Sequence, residues 1–301
     1  MEKQYVLYNP KANNSHGEAQ AHMLESMMTD CELVFCDITK ITSFADFFAD
    51  IANDEKIIIC GGDGTINHFI NDTRGIEYSN SIYYYPSGTG NDFAFDLKKT
   101  ASDMPFCIDK YLKDLPTVYV NGMERLFING IGYGIDGYAC DVGDELKSKS
   151  DKPINYAGIA IKGLLFYFKK RNATVTVDGV TKTYKKAWVA SAMNGRFYGG
   201  GIMPTPDQDR LNEERTLSVV VFHGSGRIKT LLMFPTLFKG THVKFTKHFD
   251  IMRGKDISVS FDIPTALQID GETVKGVTEY RAVSSRIVDK IQTADKETAN
   301  V

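Results

Sequence analysis

Apolar residues recur along the first third of the chain in short runs separated by amphipathic stretches. Strands are predicted at 5–8, 33–36, 57–60 and 81–85, with helical spacing at 17–28, at 44–52 and after Thr65. Alternation of this kind with short connections predicts a parallel sheet covered by helices. The pattern changes after about residue 115. Val118 and Val120 precede Asn121 and Gly122, and Val175 and Val177 precede Asp178 and Gly179, so both read as hairpins whose turns need positive φ. Strand-like runs follow at 188–193, 217–222, 242–249, 257–261, 266–269 and 277–283. Many short strands at this spacing predict an antiparallel sandwich or barrel. The expected fold is α/β plus all-β: an N-terminal α/β domain with a parallel sheet over 1–125, a C-terminal antiparallel β-sandwich domain over 126–290, and a C-terminal tail over 291–301.

Composition narrows the class without naming it. The 301 residues suffice for two ordinary domains, and 43% hydrophobic with 24% charged residues are globular values. Thirty-five Lys and Arg against 38 Asp and Glu leave a formal charge of −3. That balance gives no global electrostatic reason to expect nucleic acid as a partner, so any anion recognition must be local. The cysteines at 31, 36, 60, 107 and 140 form no C-x-x-C pair and no Cys/His cluster at zinc spacing. They read as reduced cytosolic thiols. The first residues lack the basic and then apolar regions of a signal peptide. The longest apolar stretch, 159–168, is broken by Lys162 and falls short of the ~20 residues a spanning helix needs. A cytoplasmic protein, at most peripheral to a membrane, is expected. The stretch 156–171 mixes apolar residues with Lys162, Lys169, Lys170 and Arg171, and fits either a membrane surface or a core-packed helix. Core packing is favoured, because apolar helical stripes mostly bury themselves.

Candidate chemistry sits at the strand ends. Ligands of parallel α/β sheets bind beyond the carboxyl ends of the strands. Asn9, the turn 61–65 and the turn 86–92 all fall there. The first turn reads Gly61, Gly62, Asp63, Gly64, Thr65. Glycines let a phosphate approach the main chain and the N-terminus of a following helix, and Asp63 suits the Mg²⁺ that travels with phosphates. On these five residues alone, a tight strand-to-helix turn with an Asp cap explains the pattern equally well. The second turn, through Ser87, Gly88, Thr89, Gly90, Asn91 and Asp92, offers a donor-rich cradle for phosphate or ribose, with Thr89 as the direct contact. Standing alone it would read as a Ser/Gly-rich loop, but two such loops on neighbouring strands reinforce each other.

At this point the chain resembles a known family. The stretch from Gly61 through Ile66 and Asn67 resembles the GGDGTxN element of the diacylglycerol kinase catalytic domain, and 87–93 resembles its SGTGNDF element. Asn9, Pro10, Lys11 and Ala12 resemble its NPxxG start. NGRFYGGG at 194–201 resembles the glycine stretch of the second domain, and Asp270, Gly271 and Glu272 its late D-G-E element. The elements occur in the family's order over roughly 5–285, and the family includes bacterial diacylglycerol kinases and, more distantly, sphingosine and ceramide kinases.

The resemblance implies an ATP site lined by Asn9, Pro10, Lys11, Ala12, Asn13, Thr39, Gly62, Asp63, Gly64, Thr65, Asn67, His68 and Thr89. It implies ATP and Mg²⁺ as cofactors, with Asp63 near the metal, Asp270 as the general base for the lipid hydroxyl and Glu272 on the nucleotide. Read by itself, Asp270 is an Asp-Gly hairpin turn like Asp178. Three departures stand out. His68 replaces an acid, and Asn13 replaces a glycine in a turn where Asn tolerates the left-handed region. Around 206–217, where relatives bind a structural Mg²⁺ through a D-G-x-L element, the chain has Asn212, Glu213, Glu214 and Arg215, and Glu213 or Glu214 would have to replace the ligand. Asp136, in a Gly-rich stretch, reads equally as an active-site organiser and as a linker turn.

The expected function is therefore an ATP-dependent lipid kinase, making phosphatidic acid from diacylglycerol and meeting its lipid at the membrane surface. A homodimer is left open. Two alternatives remain. An NAD kinase-like soluble-substrate kinase shares the GGDGT turn, though 87–93 argues against it. A non-catalytic lipid- or nucleotide-binding relative would explain His68 and 212–215, though retention of Asp63 and Asp270 argues against it.

Overall fold

Ile57, Ile58 and Ile59 are wholly buried in the middle of the first sheet, as the continuous apolar run of a parallel strand covered on both faces requires. The computed structural model describes residues 2–88, 90–149 and 154–287, and its contacts part the chain into two units between Lys113 and Asp114.

The first unit carries β1 (Lys3–Tyr8), β2 (Glu32–Asp37), β3 (Lys56–Gly61), β4 (Ile82–Pro86) and β5 (Phe106–Cys107), in the order β2-β1-β3-β4-β5. Neighbours are parallel except β5, which runs antiparallel to β4. Register brings Tyr8 opposite both Asp37 and Cys60, and Gly61 opposite Pro86. Four strands thus stop side by side at one edge. Helices cover the sheet: Phe44 meets Phe69 edge-on, and Phe48 stacks on Tyr78 at 4.3 Å between ring centroids.

The second unit is antiparallel, as its alternating strands predict. It contains β6 (Thr117–Val120), β7 (Met123–Leu126), β8 (Gly130–Tyr133), β9 (Arg171–Val177), β10 (Val180–Ala187), β11 (Val189–Met193), β12 (Leu217–Phe222), β13 (Phe249–Gly254), β14 (Asp256–Ile269) and β15 (Glu272–Val283). The two turns expected to need positive φ have it, at Asn121 and Gly122 and at Asp178 and Gly179. The β6–β7 hairpin pairs with β15, Tyr119 opposite Arg281, so residues 117–125 are built into the second sheet. The expected strands 257–261 and 266–269 are one strand, β14. Its register on β15 shifts between Ser260 and Leu267, which lets the first half pair with β9 and the second with β8. Strands on either side of that bend share one apolar core that includes Tyr133, Val175, Val219, Val259 and Tyr280.

Three features differ from the sequence pattern. The expected strand 242–249 is a 3₁₀ turn at Thr241–Lys244 followed by loop, and β13 begins only at Phe249. Gly240 at φ +64° turns the chain, and buried His242 is held by the Pro204 carbonyl at 2.9 Å from its Nε2. Helices at Ile135–Lys147 and Arg227–Phe238 depart from the sequence pattern, the first interrupted by glycines and the second by Pro235 and by apolar residues on its outward face as well as its inward one. Among the described residues, no helix is long and apolar enough to cross a membrane. The stretch 291–301 lies outside the described residues.

Candidate active site

In the first unit, the predicted nucleotide residues gather at the carboxyl edge of the sheet. After β1, the Asn9 side chain accepts the Lys11 amide at 2.9 Å and its carbonyl accepts the Ala12 amide at 3.0 Å. Gly17 has to be glycine, because a Cβ there would lie 2.0 Å from the Asn9 carbonyl oxygen. Asn13 sits in the left-handed region at φ +50°, so the turn survives without a glycine. After β2, Thr39 donates its hydroxyl and amide to Asp37, and these bonds hold the Asp37 carboxyl below the usual carboxylate range.

The two glycine turns are zipped together. Gly61 gives its carbonyl to the amides of Ser87 and Gly88 and to the Tyr84 hydroxyl, and Asn91 donates to the Gly88 carbonyl at 2.7 Å. A Cβ on Gly88 would meet the Gly62 backbone at 2.4 Å. The glycines are therefore needed for turn-on-turn contact. Gly64 is different: a Cβ there would meet nothing within 4 Å. The fold makes no demand for glycine at that point, on the first turn of the helix Asp63–Asp72, where an anion can approach.

Asp63 is the bolt of this arrangement. Its two carboxylate oxygens accept the amides of Asp92 at 2.7 Å and Phe93 at 3.0 Å, capping the short helix Asp92–Asp96 from a different turn. Its own amide donates to the Gly90 carbonyl. Buried Tyr84 feels that carboxylate and Asp92, and burial with these charges raises its phenol well above the ordinary value. Cys60, beside Ser87 at the end of β3, is pushed by burial up to about 11 and stays a thiol. Within the same helix, Asn67 is wholly buried and bonded to Asn71, whereas His68 is exposed. Thr89 lies outside the described residues.

In the second unit, Asp270 occupies the β14–β15 turn at φ +47° and is buried. Its carboxylate accepts three backbone amides, from Ile128 at 2.6 Å, Asn129 at 2.8 Å and Gly130 at 2.9 Å. Three amide donors on one carboxylate tie the Asp270 side chain to the 128–130 loop. Two residues on, Glu272 is 31% exposed and takes the Arg125 guanidinium at 2.7 Å. Around the same loop, Arg210 and Asn194 both donate to the Ile128 carbonyl, and Asn129 accepts from Arg210. None of Arg125, Arg210 or Asn129 carries a motif signal, because each acts through loop carbonyls or a partner remote in sequence.

Asp136 opens the helix Ile135–Lys147 and accepts the hydroxyls of Ser191 at 2.8 Å and Tyr198 at 2.7 Å. Desolvation raises its carboxyl despite those donors. Gly132 makes room for it, since a Cβ would lie 2.6 Å from both Asp136 Oδ2 and Gln268 Nε2.

The residues fit the two expected metals unequally. Among the described residues, no three His, Cys, Asp or Glu gather as a metal cluster. In the 206–217 segment, Asn212 donates to the carbonyls of Asp209 and Thr216, Arg215 donates to that of Arg210, Glu214 pairs with Lys255, and Glu213 is exposed. Those main-chain oxygens are already engaged by protein donors, so a structural cation does not fit there. At Asp63, a buried carboxylate at a helix N-terminus is an oxygen donor of the kind that hard cations and their bound waters take. That suits the water shell of an ion held mainly by phosphate, as Mg²⁺ is.

Family models match both parts of the chain: the diacylglycerol kinase catalytic domain over 3–119 and the YegS C-terminal NAD kinase beta sandwich-like domain over 129–289. A diacylglycerol kinase of Mycobacterium tuberculosis is 25% identical over 197 residues, 63% of this chain and 62% of its own length. The chain thus spans under two thirds of that relative. A "Putative lipid kinase" of Staphylococcus epidermidis is 28% identical over 227 residues, 72% of this chain and 70% of that protein. A crystal structure of a diacylglycerol kinase from Bacillus anthracis shares the fold with a TM-score of 0.57 at 17% identity, covering 94% of each chain.

Proposed function

The chain belongs to the diacylglycerol kinase family, a catalytic domain followed by a YegS-type C-terminal domain, and from that membership we propose that it is an ATP-dependent lipid kinase converting diacylglycerol to phosphatidic acid at a membrane surface in the cytoplasm. The observation that carries the nucleotide half is Asp63 holding two glycine turns together at the carboxyl edge of a parallel sheet, beside the open flank of Gly64. Phosphoryl transfer asks a protein chiefly for positioning and charge neutralisation. The Asn9 turn, Thr39 and the helix N-terminus at Gly64 and Thr65 supply positioning. When bound with ATP, Mg²⁺ would neutralise phosphate charge, with Asp63 accepting from its water shell.

We place proton removal from the lipid hydroxyl on Glu272, where the resemblance implies Asp270. It lies on the same turn as Asp270, is 31% exposed and is oriented by its pair with Arg125. Glu272 takes the proton as the hydroxyl oxygen bonds to the γ-phosphorus, the bond from that phosphorus to the bridging oxygen breaks, and ADP leaves. Asp270 holds the 128–130 loop and positions this carboxylate. Asp136, with Ser191 and Tyr198, is a polar group suited to an acceptor's hydroxyl. Incubating the protein with ATP and a total bacterial lipid extract, followed by mass spectrometry, tests the assignment: diacylglycerol species should gain one phosphate each.

A further inference from the structure

The helix Arg227–Phe238 turns an apolar face outward. Its inner side, Thr230, Met233, Phe234 and Leu237, is buried in the core of the second unit. Yet Ile228 and Leu232, one turn apart on the other side, are 76% and 74% exposed. A helix apolar all round is ordinarily covered on all sides. Next to it, the π-helical turn Gly163–Tyr167 buries Leu164 but leaves Phe166 68% and Tyr167 67% exposed. Arg227 joins the two elements, donating to the carbonyls of Leu164 and Phe168. Four large apolar side chains thus project from two bonded elements.

Charge identifies what covers them. The stretches 154–177 and 223–249 contain nine Lys and Arg and no Asp or Glu, in a chain whose overall charge is −3. Lys229 on the helix and Lys162, Lys169 and Lys239, which flank the two elements, are exposed. Apolar side chains among lysines match the boundary of an anionic bilayer, where acyl chains take the former and headgroups the latter. A second copy of the same face would set basic rim against basic rim, which disfavours self-association.

We propose that Phe166, Tyr167, Ile228 and Leu232, with their surrounding lysines, form a docking face for an anionic lipid bilayer. The inference rests on the lipid-kinase reading only in that the acceptor would be met there. Binding is therefore measured without nucleotide, by sedimenting the full chain with vesicles of phosphatidylcholine alone or of equimolar phosphatidylcholine and phosphatidylglycerol. The wild type should partition onto the anionic vesicles and be released by salt. The double variant Ile228→Ser/Leu232→Ser should bind on the order of tenfold less or weaker, and Lys229→Gln about fivefold less, both with unchanged thermal melts. Equal binding to the two vesicle types, or binding unaffected by the double variant, would overturn the proposal. So would a wild-type dimer that the double variant makes monomeric, because the occupant would then be a second copy. A chain that binds anionic vesicles but phosphorylates no lipid retains this face and loses the kinase reading. One that phosphorylates detergent-dispersed lipid but ignores vesicles does the reverse.

Discussion

The Asp63 carboxylate accepts the Asp92 backbone amide at 2.7 Å across 29 positions of sequence. The acid of the first glycine turn thereby fixes the second turn, and the two motif elements are bonded to each other through side chain and backbone. The acid that the sequence offers as a cap for its own turn caps the helix Asp92–Asp96 of the other turn instead.

Removing that carboxylate should cost stability as well as binding. Asp63→Ala leaves the amides of Asp92 and Phe93 without their acceptor in a buried place, a loss of about 1–3 kcal/mol. Urea unfolding of the protein without ligand measures it. An unchanged midpoint would show that Asp63 serves the ligand alone.

Two glycines separate fold from function. Gly88→Ala forces a Cβ to 2.4 Å from the Gly62 backbone and should destabilise by about 1–3 kcal/mol. Gly64→Ala meets open space and should leave stability level or raise it by about 0.5–1 kcal/mol. The same change should weaken ATP binding, read by calorimetry. Undiminished affinity would remove Gly64 from the phosphate path.

The acids of the D-G-E turn should fail differently. Asn tolerates φ +47°, so Asp270→Asn keeps the backbone but loses acceptor capacity toward three amides, at about 1–3 kcal/mol. Glu272→Gln disturbs a partly exposed pair worth about 0–1 kcal/mol, while kcat should fall about 10²–10⁴-fold. A stable, inactive Asp270→Asn beside an active Glu272→Gln would return the base role to Asp270.

Asp136 gives a pH signature. Its folded carboxyl is raised by desolvation, so the folded state binds the proton more tightly than the unfolded chain. Its contribution is fully present below the ordinary aspartate range near 4 and is lost as pH rises from there through the raised folded value. Asp136→Asn can still accept from Ser191 and Tyr198. The difference in unfolding free energy, variant minus wild type, should therefore grow across that window and then level off. A flat difference would mean that the site does not prefer the neutral acid.

The candidate site of the first unit was legible because each of its turns sits where an apolar strand run ends, and parallel register aligns those ends without further information. The second half was harder to read. Asp178 and Asp270 share the same Asp-Gly signature, and both anchor distant amides, Asp178 those of Lys255 and Asp256. Only the folded chain distinguishes them, by the burial of Asp270 and the adjacent Glu272–Arg125 pair. Helix Arg227–Phe238 was missed because its outward face is as apolar as its inward one, which erases the amphipathic period.

Mass spectrometry of a bacterial lipid extract after incubation with ATP, run in parallel for wild type and Glu272→Gln, tests the lipid-kinase reading most directly. Wild type should add one phosphate to diacylglycerol, and the variant should do so about 10²–10⁴-fold more slowly while still binding ATP. Phosphate appearing on NAD supplied in the same mixture instead, or on no lipid despite measurable ATP binding, would contradict it.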